Sequence, residues 1–184
     1  SCGTCMDQLQ KYEFDKIFPG CRLLDIHEYL LEKGVKLDGV QGVRYLYHDP
    51  CHTPMKTMPG IKVANALMGQ RVDLSDRCCG EAGTLAVGRP DVATQVRFRK
   101  QEEIENGAAR LRAADAGDGA PFAGEVKVLT SCPSCLQGLS RFNDDAGTQA
   151  DYIVVELARH LLGENWLPQY VDAARAGGIE RVLL

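Results

Sequence analysis

Val43-Arg44-Tyr45-Leu46-Tyr47-His48-Asp49-Pro50-Cys51-His52 is the stretch whose reading decides the fold. Its first five residues are rich in β-branched and aromatic side chains, which favour a strand. The strand runs straight into Asp49-Pro50-Cys51, so Cys51 is expected at a strand's carboxyl end. The same arrangement returns downstream, where Glu125-Val126-Lys127-Val128-Leu129-Thr130 reads as a strand leading into Ser131-Cys132-Pro133-Ser134-Cys135. Between the two, the short strand-like Arg71-Val72-Asp73-Leu74 precedes Arg77-Cys78-Cys79-Gly80-Glu81-Ala82-Gly83-Thr84. Helical stretches fill the intervals. Strands alternating with helices imply an α/β fold, a small parallel sheet flanked by helices with right-handed crossovers. The functional crevice of such a sheet lies at the carboxyl ends of its strands, and all three cysteine groups fall there.

The clearest helix spans about 90–114, opened by Pro90 and Asp91, a proline and an acid suited to a first turn. Val92, Val96, Ile104, Ala108 and Leu111 make its expected buried stripe. Arg97, Lys100, Glu102, Glu103 and Glu105 read as its solvated face. Shorter helices are expected over 22–33, with Leu23, Ile26 and Leu30 on one stripe and Gly34 as the stop. Others are expected over 60–69, 134–142 and 156–162 and after Trp166, with Tyr152-Ile153-Val154-Val155 as a last short strand. Ile179–Leu184 is too short to assign.

Eight cysteines without a secretory segment favour metal or redox chemistry in a reducing compartment over a disulfide framework. Five of them form a pattern: Cys51, 26 residues, Cys78-Cys79-Gly80, then Cys132-x-x-Cys135. A disulfide between neighbouring cysteines is strained. As thiolates, however, neighbours can reach two different metal ions, which suits a polynuclear cluster. The backbone N–H groups around Gly80 and Gly83 are placed to hydrogen-bond cluster sulfurs. Two other readings stay open: five buried thiols acting as small hydrophobes, and a four-thiolate zinc site, to which the fifth cysteine would be surplus. A thioredoxin-like role for Cys132-Pro133-Ser134-Cys135 would leave Cys51, Cys78 and Cys79 without purpose.

His48 and His52 flank Cys51 and are read as neutral strand-end residues before ligands, and His27 and His160 as structural. Cys21 has no partner at useful spacing and reads as a buried thiol. Arg77 and Lys56 adjoin the cysteines and read as solvated or as offsetting cluster charge, while Met55 and Met58 read as packing.

The charge balance, 21 − 25 = −4, lacks the basic surplus of a nucleic-acid footprint. No apolar run approaches the ~20 residues that span a bilayer, and no signal peptide is visible. A cytoplasmic protein is expected, reaching a membrane only through a partner.

On Asp49-Pro50-Cys51-His52, Cys78-Cys79-Gly80 and Cys132-x-x-Cys135, about the last three quarters of the chain resembles the cysteine-rich CCG domain found in heterodisulfide reductases and in the iron-sulfur subunits of glycolate and lactate oxidases. The first gap is shorter and the second longer than the commonest family spacing. The resemblance implies that Cys51, Cys78, Cys79, Cys132 and Cys135 hold a [4Fe–4S] cluster, non-cubane in the best-understood members, that passes single electrons. It also implies a flavin, FAD, on another domain or subunit, and an acceptor such as a quinone or another redox protein. Gly-x-Gly-x-x-Gly does not occur, so the chain is expected to have no hydride chemistry of its own. A structural zinc or assembly domain and a cluster-based thiol or disulfide reductase are the alternatives.

Ser1-Cys2-Gly3-Thr4-Cys5 reproduces Ser131-Cys132-Pro133-Ser134-Cys135 at an offset of 130, where Leu9 also meets Leu139 and Tyr12 meets Phe142. With one residue inserted, Leu30-Leu31 falls on Leu161-Leu162. Such an internal repeat makes residues 1–40 the expected tail of a truncated first CCG repeat and 41–184 a complete second domain with a helical tail, together a C-terminal part of a longer oxidoreductase. Cys2 and Cys5 would be half of another site.

Overall fold

The computed structural model describes residues 2–81, 83–113 and 121–177. The chain runs α1 (Gly3–Gln10), α2 (Phe14–Ile17), α3 (Ile26–Glu32), β1 (Val43–His48), α4 (Gly60–Met68), β2 (Val72–Ser75), α5 (Leu85–Gly88) and α6 (Pro90–Ala113). It continues with β3 (Glu125–Thr130), α7 (Pro133–Ser140), α8 (Asn143–Ala146), β4 (Gln149–Tyr152), α9 (Ile153–Leu162) and α10 (Trp166–Gly177). Among the described residues the strands form one parallel sheet, in the order β2-β1-β3-β4. The expected α/β fold is the observed one.

Strand periodicity sorts the core into two layers. Tyr45, Tyr47 and Leu129 face one side, where they pack with Val63, Ala64, Leu67 and Met68 of α4 and with Ile153 and Leu157 of α9. Leu46, Val126 and Val128 face the other, against Ile104, Ala108 and Leu111 of α6 and Cys135 and Leu139 of α7. α4 presents its apolar positions at spacings of one and four, one face of a 3.6-residue helix. Leu67 has no exposed surface. Leu67→Ala is therefore expected to cost about 2–5 kcal/mol through lost burial and the cavity left behind, read as a lower urea midpoint at an unchanged slope.

Several expectations need correction. Tyr152-Ile153-Val154-Val155 is not a strand: β4 ends at Tyr152 and α9 begins at Ile153. The β-branched run yields to helix because Ile153 and Leu157, one turn apart, both enter the core. α3 starts at Ile26 rather than 22, because the Asp25 carboxylate accepts from the His27 N–H and caps it. Leu23 thus precedes the helix, Ile26 is exposed, and the helix buries His27 and Glu28 instead. In α6 the charged face is not wholly solvated: Lys100 is completely buried, while Val92 of the expected apolar stripe is exposed. Lys100 Nζ donates to the Ser75 carbonyl and hydroxyl and to Glu103, at 3.2, 2.7 and 2.9 Å, which fixes α6 to the carboxyl end of β2. Cys21 is exposed rather than buried, in a segment where Ile17 and Phe18 are exposed as well. Ile179–Leu184 lies outside the described residues.

Candidate metal centre

Three loops at the carboxyl edge of the sheet carry the cysteines: Cys51 follows β1, Cys78 and Cys79 follow β2, and Cys132 and Cys135 open α7 after β3. The chain changes direction across the sheet between β1 and β3. At such a switch point the loops of neighbouring strands diverge to opposite faces and leave a crevice. Here Cys51, Cys78, Cys79, Cys132 and Cys135 line one cavity of about 190 Å3, together with Cys2 and Gly83. Several waters, at about 30 Å3 each, would fill that volume, so it has room for more than a lone ion. All eight cysteines are free.

The thiols grade from a buried floor to an open rim. Cys79 and Cys135 are buried, Cys78 and Cys132 half-buried, and Cys51 exposed. On the floor the Cys79 and Cys135 sulfurs lie 3.4 Å apart. The hydrogen bond between the two sulfurs, against the cost of burial and with help from His48 and the Glu81 backbone, holds the Cys79 thiol down to about 4. The same bond, with burial, pushes Cys135 far up. Cys51 is raised by desolvation in the cleft and then by Cys78 and Cys79. Thiols crowded in this way oppose one another's ionisation, and a bound cation relieves that opposition by releasing their protons.

The glycine turn acts on Cys78. Gly80 has φ +73° and donates its backbone N–H to the Cys78 sulfur at 3.4 Å. A side chain there would bring its Cβ to 2.9 Å from Arg97 Cγ on α6, so conformation and space both require glycine. Gly83 lines the cavity itself, whereas Gly80 works through that hydrogen bond. Glu81 ties the turn to its neighbours through Arg141, with one contact of 2.8 Å, and through Arg97 at 3.6 Å. Arg77 pairs with Glu102 at 3.1 Å and donates to the Arg99 carbonyl.

α1 closes another side. Cys2 caps it with extended backbone, and its sulfur accepts from the Cys5 N–H at 3.4 Å. Gly3 lies so close to the Cys51 loop that a Cβ there would overlap the His52 carbonyl, at 1.4 Å. Asp7 anchors the contact by accepting from His52 Nδ1 at 2.6 Å and from Lys56. Cys2, assigned from the sequence to another half-site, thus shares a cavity with the five, while Cys5 is exposed. Lys56 is committed to Asp7, Met55 packs in the core, and Met58 is exposed. His27 and His160, read from the sequence as structural, pair with Asp25 and Glu156.

The residue that sequence pattern undervalues is His48. It is 1% exposed, neither ring nitrogen has a hydrogen-bond partner, and it lies with the Cys79 and Cys135 sulfurs in a group whose donor atoms are all within 4.8 Å of one another. Strand alternation holds the signal, since His48 shares its face with Leu46, the face covered by α6 and α7.

The family model for the cysteine-rich domain named CCG matches residues 45–140, and one described as a domain of unknown function (DUF3400) matches 140–184. A fumarate reductase (CoM/CoB) subunit of Methanothermobacter marburgensis is 29% identical over 73% of this chain and 25% of its own length. The glycolate oxidase iron-sulfur subunit of Escherichia coli is 31% identical over 48% of this chain and 23% of its own. One subunit of the dihydromethanophenazine:CoB–CoM heterodisulfide reductase of Methanosarcina mazei is 29% identical over 64% and 27%. The chain spans about a quarter of the length of these curated relatives. No solved structure matches it.

Proposed function

Because the chain belongs to the cysteine-rich CCG domain family, we propose that it is the electron-transfer domain of a flavin-linked oxidoreductase of the hydroxy-acid oxidase type, with a [4Fe–4S] cluster held by Cys51, Cys78, Cys79, Cys132 and Cys135. The observation that carries this reading is the convergence of those five thiols on one cavity at the switch point of the sheet. The donor set fits: iron-sulfur clusters take cysteine thiolates, and neighbouring cysteines at different depths suit a polynuclear core. When bound, the cluster supplies a site that gains and loses single electrons. The chain's own residues hold it, direct the Gly80 N–H at the Cys78 sulfur, and shelter its floor at Cys79 and Cys135.

The likeness to a glycolate oxidase iron-sulfur subunit supports the hydroxy-acid assignment. Subunits in the names of the relatives support a redox partner. In this reading the partner carries FAD and takes the hydride equivalent, and a quinone or another redox protein receives the electrons. No helix among the described residues is long and apolar enough to cross a membrane, so any membrane contact is assigned to a partner, on the cytoplasmic side where free thiols persist. The repeat reading, residues 1–40 as the tail of a first CCG unit and 41–184 as a second, is supported by the matching helices α1 and α7. Each is eight residues long and capped by a cysteine in extended backbone, at the offset of 130.

Iron, sulfide and zinc content, with an absorption spectrum, on protein purified without oxygen tests the proposal. About four irons and four sulfides per chain with broad visible absorption are expected. One zinc and no sulfide after attempted reconstitution would move the assignment to a structural zinc domain.

A further inference from the structure

We propose that the His48 imidazole is a metal ligand, forming with the Cys79 and Cys135 sulfurs a three-donor seat for one thiophilic divalent cation at the floor of the cavity. This rests on reading the cavity as a metal centre, but not on which centre it holds.

Register places His48 before any chemistry is considered. Ser75, His48, Thr130 and Tyr152 are successive partners across β2, β1, β3 and β4 and make one row along the carboxyl edge of the sheet. Nothing in that row answers the imidazole: the Ser75 hydroxyl is engaged by Lys100 at 2.7 Å, and the Thr130 hydroxyl is itself without a partner. Beyond its approach to the Cys79 sulfur, a buried ring with neither nitrogen in a hydrogen bond of ordinary geometry is an exception to the rule that buried polar groups are hydrogen-bonded. Here the exception has a direction. His48, Cys79 and Cys135 are all buried and offer one nitrogen and two sulfurs, all within 4.8 Å of one another.

That donor set selects its ligand. An anion is disfavoured by two cysteine sulfurs, which act as metal ligands in their anionic thiolate form. A hard cation such as magnesium or calcium prefers oxygen, whereas nitrogen with two sulfurs suits iron(II), zinc or cobalt(II). The remaining thiols line the cavity beside the seat. His52 lines the same cavity yet does not compete, because its side chain is 65% exposed and its Nδ1 is held by Asp7. The histidine role therefore falls to the buried ring.

Cobalt(II), added without oxygen to the full chain, is the probe. A Cys51→Ser/Cys78→Ser/Cys132→Ser variant isolates the seat and is expected to bind one cobalt with thiolate charge-transfer and strong visible bands. Adding His48→Gln should weaken that binding by at least about tenfold, while adding His52→Gln should not. Misfolding of the His48 variant is covered by the unsubstituted protein: with histidine nitrogens isotopically labelled, one equivalent of cobalt should shift the His48 ring and leave His27 and His160 in place. An unshifted His48 ring, no cobalt binding by the triple variant, or equal affinity with and without His48 would overturn the proposal. Full iron and sulfide loading combined with an unshifted ring would remove the ligand and leave the cluster reading standing. His48-dependent cobalt binding without cluster assembly would do the reverse.

Discussion

Cys79→Ser is expected to abolish cluster loading while leaving the sheet folded. Cys79 sits on the cavity floor, 3% exposed, with its sulfur 3.4 Å from that of Cys135. Its thiol is held down to about 4, which makes it the readiest thiolate of the floor pair. Serine removes that thiolate and leaves a hydroxyl that ionises only under far stronger base, so the floor loses its soft anionic donor. The fold should survive because the substitution is nearly isosteric and falls in a loop beyond the end of β2. A buried hydroxyl without a good partner costs about 1–3 kcal/mol, less than a domain's usual stability. Cys21→Ser, at an exposed thiol away from the cavity, should load normally. Iron and sulfide per chain, read beside far-ultraviolet circular dichroism, decide it; equal iron in the two variants would sink the five-cysteine assignment.

The parts of the architecture legible in the sequence are those fixed by local pattern. β1 and β3 stand out because β-branched and aromatic side chains crowd a short run that stops at a proline or a serine, and α6 because proline and aspartate open a long periodic stretch. Placing a cysteine after each of three parallel strands is enough to bring the five to one edge, since a parallel sheet aligns all its carboxyl ends. What local pattern misses is what a side chain meets across the chain. Lys100 looks like one more charge on a solvated helix face, and only the packing of α6 on the end of β2 supplies the Ser75 carbonyl and hydroxyl that, with Glu103 one turn along the same helix, receive it in the interior. Ile153-Val154-Val155 carries strand propensity, and only the contact of α9 with α4 and the tyrosines of β1 makes it helical. His48 reads as a bystander for the same reason, because its environment is built by residues 31 and 87 positions downstream, Cys79 and Cys135. Cys2 can be matched to Cys132 by repeat, but the cavity it lines depends on α1 docking through Gly3 and Asp7.

Glu156→Gln is expected to destabilise the domain by about 3–5 kcal/mol, the cost typical of breaking a buried ion pair from one side, without changing metal loading. Glu156 is wholly buried in α9 and accepts from Tyr45 Oη at 2.7 Å, from Lys127 Nζ at 2.9 and 3.1 Å, from His160 at 3.0 Å and from Arg159. Burial alone would raise its carboxyl; the hydrogen bonds from Tyr45, Lys127 and His160 outweigh that and hold it below the ordinary value. Glutamine keeps the shape and removes the charge. Arg159 retains Asp151 at 2.9 Å, but Lys127, nearly buried, is left with only Glu125 at 3.7 Å. The pH dependence follows with a definite sign. A carboxyl whose folded pKa is depressed contributes stability that is complete above its unfolded value, near 4.3, and is lost as pH falls through the folded one. The parent should therefore lose stability on acidification where the glutamine variant, already lacking that contribution, has a flatter profile. Urea midpoints across that range measure both effects, and a loss under about 1 kcal/mol at neutral pH would show the network to be dispensable. Metal loading should be untouched, since Tyr45 and Glu156 lie on the α4 and α9 face of the sheet while Cys79, Cys135 and His48 lie on the other.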